Sequence, residues 1–148
     1  MPSLLTEWCP GLTRWLDGSG ALPNLPVVLV IEDDKVVQAL VEDALRDGEF
    51  EPATAASGEE AVTLLKAFRS NYSALITDIS LLGQMDGWRV ARAAREIDPD
   101  FPIIYITGAG NDWDWRGVPG SILLTKPFGP DQLIAAVSKV LGSAPQAE

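Results

Sequence analysis

Val27-Val28-Leu29-Val30-Ile31-Glu32-Asp33-Asp34 decides how this chain is read. Five apolar residues, four of them β-branched, run without alternation and stop abruptly at acids. That is the pattern of a strand buried on both faces in a parallel sheet. The period then changes. Val37, Leu40, Val41, Ala44 and Leu45 recur at three and four residues, the apolar stripe of a helix, and Gly48 supplies its stop. Phe50 to Ala55 reads as a weaker strand, and Pro52 places it at a sheet edge because proline cannot donate to an inner ladder.

The alternation continues. Ser57 and Glu60 have capping-box spacing and open a helix with Ala61, Leu64, Leu65 and Phe68 inward. Leu75 to Thr77 forms a short strand that delivers Asp78 at its carboxyl end. Asp86-Gly87 opens a helix carrying Val90, Ala91, Ala94 and Ile97, and Asp98-Pro99 closes it. Ile103 to Thr107 and Ile122 to Thr125 are the last two strands, and Pro130 starts a final helix with Leu133, Ile134, Val137 and Leu141 inward. Gly108 to Gly120 is rich in Gly, Asp and Trp, so a fourth helix between those strands is expected to be short or irregular.

Strands alternating with helices demand a parallel sheet with right-handed crossovers, covered on both faces: a doubly wound α/β fold of five strands. Ligands of such sheets collect beyond the carboxyl ends of the strands. The residues there are Glu32, Asp33 and Asp34, then Asp78, then Thr107, then Lys126. Three carboxylates drawn together repel, each pair at about 4 Å and an effective dielectric of ~20 costing about 4 kcal/mol. A hard divalent cation relieves this, and Mg²⁺ suits one or two carboxylates, waters and a phosphate oxygen. Lys126 brings a second positive charge, and the Thr107 hydroxyl can donate to a phosphoryl oxygen. With the charge neutralised, the Asp78 carboxylate can act as nucleophile and form an aspartyl phosphate. Taken singly, each residue has a plain structural use: strand-end acids often cap helices, worth about 1 kcal/mol. Their joint placement at four strand ends favours chemistry.

Composition narrows the classes. The 148 residues allow one well-buried core and are too few for this domain plus a conventional output domain. Hydrophobic residues at 47% and charged residues at 22% are a globular balance, and no apolar run is long enough to cross a bilayer. The start of the chain lacks the pattern of a secretory signal and the lone Cys9 has no internal disulfide partner, so a reducing cytoplasm is expected. A net charge of −10 repels phosphate backbones, which argues against a nucleic-acid partner. Arg89, Arg92 and Arg95 cluster at helical spacing and are read as a solvated face. Residues 26–142 are assigned to the domain, 1–25 to an N-terminal extension and 143–148 to a frayed tail. Leu5, Trp8, Leu12, Trp15 and Leu16 give the extension near-helical spacing that Pro10-Gly11 interrupts, leaving open whether it docks, pairs two protomers or is free.

Val-Leu-Val-Ile-Glu32-Asp33-Asp34, Leu-Ile-Thr-Asp78, Met-Asp86-Gly87, Ile-Thr107-Gly108 and Thr-Lys126-Pro127-Phe128 together resemble the receiver domain of two-component response regulators, over about Val27 to Leu141. The resemblance implies a flavodoxin-like strand order 2-1-3-4-5, with Asp78 as phosphoacceptor. It makes Glu32 and Asp33 the acidic pair and has the Ser80 backbone carbonyl complete a Mg²⁺ site. It further implies that Thr107 is the switch hydroxyl, that Lys126 contacts the phosphoryl group and that the Lys126-Pro127 peptide is cis. The donor would be a phosphohistidine on a sensor histidine kinase or a histidine phosphotransfer protein. The domain would catalyse only its own phosphoryl transfer and later hydrolysis.

The chain departs from the family pattern in places. Leu123 stands three positions before the lysine where the family often has an aromatic switch residue, so rotation of a Tyr or Phe there cannot report phosphorylation. Leu82 holds the usual proline position, one extra residue precedes Met85-Asp86-Gly87, and the stretch from Thr107 to Lys126 is short. Trp113 and Trp115 there suit either a partner-binding surface or a cover for the core. Two rival classes remain. A phosphorylation-independent binding module would explain the altered switch region but has no use for a strained acidic cluster. A hydrolase of small substrates that works through an aspartyl phosphate would typically carry a second Asp two residues after the nucleophile, where this chain has Ser80.

Overall fold

The computed structural model describes residues 25–81, 83, 85–108 and 117–142. The proposed extension (apart from its last residue), the tail, Leu82, and the segment with Trp113 and Trp115 lie outside them. So does most of the expected short helix between the last two strands.

The sheet is five-stranded and all parallel, in the order β2-β1-β3-β4-β5. Its strands are β1 (Val27–Ile31), β2 (Glu51–Ala55), β3 (Ala74–Asp78), β4 (Ile103–Thr107) and β5 (Ile122–Thr125). Four α-helices are described: α1 (Lys35–Asp47), α2 (Gly58–Phe68), α3 (Gly87–Ile97) and α4 (Pro130–Gly142). The three inner strands are buried almost throughout, whereas β2 and β5 form the partly exposed edges, as Pro52 demands of the first.

Side chains alternate across the pleat, so each inner strand feeds two cores. Leu29, Ile31, Leu75, Ile103 and Tyr105 pack on one face with residues of α2 and α3. Val28, Val30, Ile76, Ile104 and Ile106 pack on the other with residues of α1 and α4. Loss of a fully buried Leu or Ile here would cost about 2–5 kcal/mol, so the sheet is a rigid platform for whatever its edge carries.

Polar residues set the helix starts, at Ser57 and Asp86 as read from sequence and at Asp34 for the first helix. Asp34 accepts from Val36 N (2.9 Å) and Val37 N (3.3 Å), and Asp86 accepts from Arg89 N at 3.0 Å. Ser57 Oγ accepts from Glu60 N at 3.1 Å, while the Glu60 carboxylate reaches back to Ala56 N at 2.6 Å, one residue earlier than a strict capping box.

Gly48 caps the end of α1, as its place in the sequence implies, and the left-handed conformation falls on the next residue, Glu49 (φ 69°). Three local expectations need correction. Leu40 and Phe68, read as inward, are 59% and 52% exposed, because each lies at the margin of its stripe. Arg95 is half-buried rather than solvated, its Nε donating to Phe101 O at 2.6 Å.

Candidate functional site

The carboxyl edge of the sheet collects the residues expected there. Glu32 follows β1, Asp78 ends β3, Thr107 ends β4 and Lys126 follows β5. Parallel register brings them level: Asp78 pairs with Ile106 and Thr107 with Thr125, and Lys126 N donates to Thr107 O at 2.8 Å. The Lys126-Pro127 peptide is cis.

Lys126 organises the charges. Its Nζ lies 3.0 Å from Asp78 Oδ2 and 3.3 Å from Glu32 Oε1. The second oxygen of each carboxylate is taken by backbone: Asp78 Oδ1 accepts from Ser80 N at 3.1 Å, and Glu32 Oε2 from Asp34 N at 3.0 Å. Glu32 Oε1 is buried and makes no hydrogen bond; the ammonium is close enough for charge attraction but outside bonding geometry. Asp33 is half-buried on the turn between Glu32 and α1. Among the described residues no three acidic, His or Cys side chains converge tightly enough to form a ready cation cage. The repulsion expected of an acidic trio is thus met by two buried carboxylates sharing one lysine.

The electrostatics follow from this sharing. Burial pushes the Glu32 carboxyl above its usual range and the neighbouring Asp78 adds to the rise, against the Asp34 N–H and Lys126, which lower it. Burial alone would lower Lys126, but the hydrogen bond and charge of Asp78, then those of Glu32, outweigh it and raise the ammonium. Sharing thus strengthens the hold on the lysine's proton, while burial works against the glutamate's charge.

Glycine makes the approach to Asp78 possible. A Cβ at Gly87 would overlap the Asp78 carbonyl oxygen and come within 2.8 Å of the Ile79 Cα, so the first residue of α3 rests directly on the backbone of the acceptor. Gly58 has the same use in the next layer, where a Cβ would lie 2.7 Å from the Val90 side chain and 3.1 Å from that of Met85.

Sequence reasoning missed the aromatic support of the site. Trp88, nearly buried in the first turn of α3, packs tilted on Tyr105 with ring centroids 4.9 Å apart. Its spacing of three from Ala91 was the available signal. Tyr105 pairs in register with Leu123, the position where the resemblance expected an aromatic. This ring is wholly buried and its hydroxyl accepts from Val118 N at 3.1 Å, so it is fixed between strand and loop. Burial raises its phenol above the ordinary range.

Comparison with known proteins agrees with this geometry. The response regulator receiver domain family matches residues 28–138, and the chain belongs to that family. A response regulator receiver protein from Sinorhizobium medicae is 41% identical and superposes with a TM-score of 0.77, covering 80% of this chain and 96% of that one. The receiver domain of the Pseudomonas aeruginosa sensor histidine kinase PA1611, solved with magnesium coordinated in its active-site cleft, is 27% identical with a TM-score of 0.68, covering 80% and 98%. The cell cycle response regulator CtrA of Brucella ovis is 32% identical over 117 residues, 77% of this chain and 49% of that protein. The chain spans about half the length of this and other curated regulators it matches. Among the described residues no helix is long and apolar enough to cross a membrane.

Proposed function

We propose that Asp78 accepts a phosphoryl group from a phosphohistidine donor, and that the protein signals by the change this makes to its surface. The observation that carries the reading is the placement of Lys126 Nζ 3.0 Å from Asp78 Oδ2 at the carboxyl edge of the sheet, beside a Glu32 oxygen with no hydrogen bond. A carboxylate oxygen of Asp78 attacks phosphorus; the new O–P bond forms as the N–P bond breaks, and the imidazole leaves with its electron pair and is protonated. Lys126 turns from the carboxylate to the phosphoryl oxygens, and the Thr107 hydroxyl donates to another of them. Water later cleaves the acyl phosphate and regenerates the carboxylate.

The residues fit Mg²⁺. The donor set is all hard oxygen, and the buried Glu32 oxygen lacks a donor that a cation or its water would supply. Glu32, Asp33, Asp78 and the Ser80 carbonyl are the proposed holders. When bound, the ion neutralises charge on the transferring group. Lys126 keeps the carboxylates paired before loading.

The proposed partners are a sensor histidine kinase or a histidine phosphotransfer protein on the input side and a protein on the output side, with phosphorelay shuttle or phosphate sink as the other roles the same chemistry supports. The reading holds whether the receiver acts alone or within a longer protein. Intact mass after incubation with a small acyl phosphate and Mg²⁺ tests it. A single phosphoryl adduct is expected for the wild type and none for Asp78→Asn or with a chelator. No adduct from the acyl phosphate, nor from a phosphohistidine donor, would instead favour a binding module that works without phosphorylation.

A further inference from the structure

Apart from Tyr105, Thr77 is the one hydroxyl-bearing or charged residue among those described that has no exposed surface at all, and the chemistry proposed for the site does not use it. It sits in β3 between Ile31 and Tyr105 in register, on an otherwise largely apolar level of the sheet. A hydroxyl there is costly unless bonded, and a valine of nearly the same shape would fill the space with no such cost. Its bond does not tie strands together. Thr77 Oγ1 donates at 2.8 Å to the carbonyl of the next residue, Asp78.

That carbonyl belongs to the peptide on which the acceptor hangs. The other end of the same peptide, Ile79 N, donates to Ile106 O at 3.1 Å, so the unit is pinned at both ends, and Gly87 lies against its oxygen. One residue on, Gly87 N donates to Ile79 O at 2.8 Å, and Ser80 N donates to Asp78 Oδ1 at 3.1 Å. The orientation of the 78–79 peptide therefore decides whether the Ser80 N–H can reach the Asp78 carboxylate. We infer that Thr77 is a positioning residue for the phosphoacceptor: its buried hydroxyl fixes the peptide that aims the Asp78 carboxylate between Ser80 N and Lys126. The inference rests on the acceptor role proposed for Asp78 but is argued from bonds present without any phosphoryl group.

The test compares Thr77→Val, which removes only the hydroxyl, with Thr77→Ser, which keeps it. Two quantities are read: hydrogen-exchange protection of the Ser80 amide, with the Leu75 amide as internal control, and the rate of adduct formation with a small acyl phosphate and Mg²⁺. Thr77→Val is expected to melt at or above the wild-type temperature while losing about tenfold in Ser80 protection and about tenfold in rate, the loss of one modest orienting interaction. Thr77→Ser should restore both to within about threefold. Unchanged Ser80 protection in Thr77→Val, or a folded Thr77→Ser as impaired as the valine variant, overturns the inference. If Thr77→Val does not fold, Thr77→Ala, which also lacks the hydroxyl, takes its place with the same expected losses. If the wild type forms no adduct, the acceptor reading fails, and the exchange measurement still decides whether Thr77 positions Asp78.

Discussion

The two ends of the sheet each hold an ion pair, and the two are built in opposite ways. At the amino end Arg69 pairs with Asp98, donates to Tyr72 O at 3.2 Å and lies with its guanidinium 4.7 Å from the centre of the Phe101 ring. Asp98 also accepts from Asp100 N at 3.0 Å, and the Arg69 bond first, then that one, hold its carboxyl below the usual range. At the carboxyl end two buried carboxylates divide one lysine, one oxygen makes no hydrogen bond and the Glu32 carboxyl is pushed up. The amino-end pair is satisfied and stabilises the join between the 69–72 turn and the end of α3. The carboxyl-end group has acceptors to spare, which is what a site that exchanges a cation and a phosphoryl group needs.

Removing the central cation gives the largest expected difference. Lys126→Met should lower stability by about 2 kcal/mol in denaturant melts at neutral pH without metal, because it leaves Glu32 and Asp78 facing each other unpaired. Arg69→Met should cost only about 1 kcal/mol, since Arg69 and Asp98 are 37% and 26% exposed and water takes over some of their charge. Equal losses at both ends would break the contrast.

Neutralising one acid sharpens it. Asp98→Asn is expected to destabilise by about 1 kcal/mol, the loss of a charge-assisted bond discounted for exposure. Glu32→Gln should leave stability at neutral pH unchanged or higher, read from the same metal-free melts. A larger fall for Glu32→Gln than for Asp98→Asn would show that Glu32 is satisfied as it stands.

The smallest effect is in pH, where the two acids act with opposite sign. Asp98 is more acidic folded than unfolded, so its stabilisation is complete above its unfolded pKa and is lost as pH falls through the folded value. Glu32 is less acidic folded, so its ionisation opposes folding at neutral pH, and that penalty is relieved as pH falls through its raised folded value. In acid titrations of stability with chelator present, Asp98→Asn should flatten the acid loss, while the gain from Glu32→Gln should shrink toward low pH. A gain from Glu32→Gln that grows on acidification would contradict the assignment.

The fold was legible because its signals are local and repeated. Unbroken apolar runs such as Val27–Ile31, helix starts at Ser57 and Asp86, and Pro52 at an edge each state one element on their own. The strand-end rule then located Glu32, Asp78, Thr107 and Lys126 together. What could not be read depends on distant partners. Lys126 serving both carboxylates, the Tyr105 hydroxyl finding Val118 N and Arg95 reaching Phe101 O are side-chain choices that spacing does not encode. Gly87 looks like ordinary punctuation in sequence, and only packing shows that it is a point of close approach to the backbone of Asp78 and Ile79.

The most direct test of the central claim is chemical capture of the acyl phosphate. After loading with a small acyl phosphate and Mg²⁺, borohydride reduces an aspartyl phosphate to homoserine, which tandem mass spectrometry places in the sequence. The account predicts homoserine at position 78 alone, absent when the purified protein is treated with chelator before loading. Reduction at Asp33 or Asp34, or at no acidic residue despite transfer from a phosphohistidine donor, would contradict it.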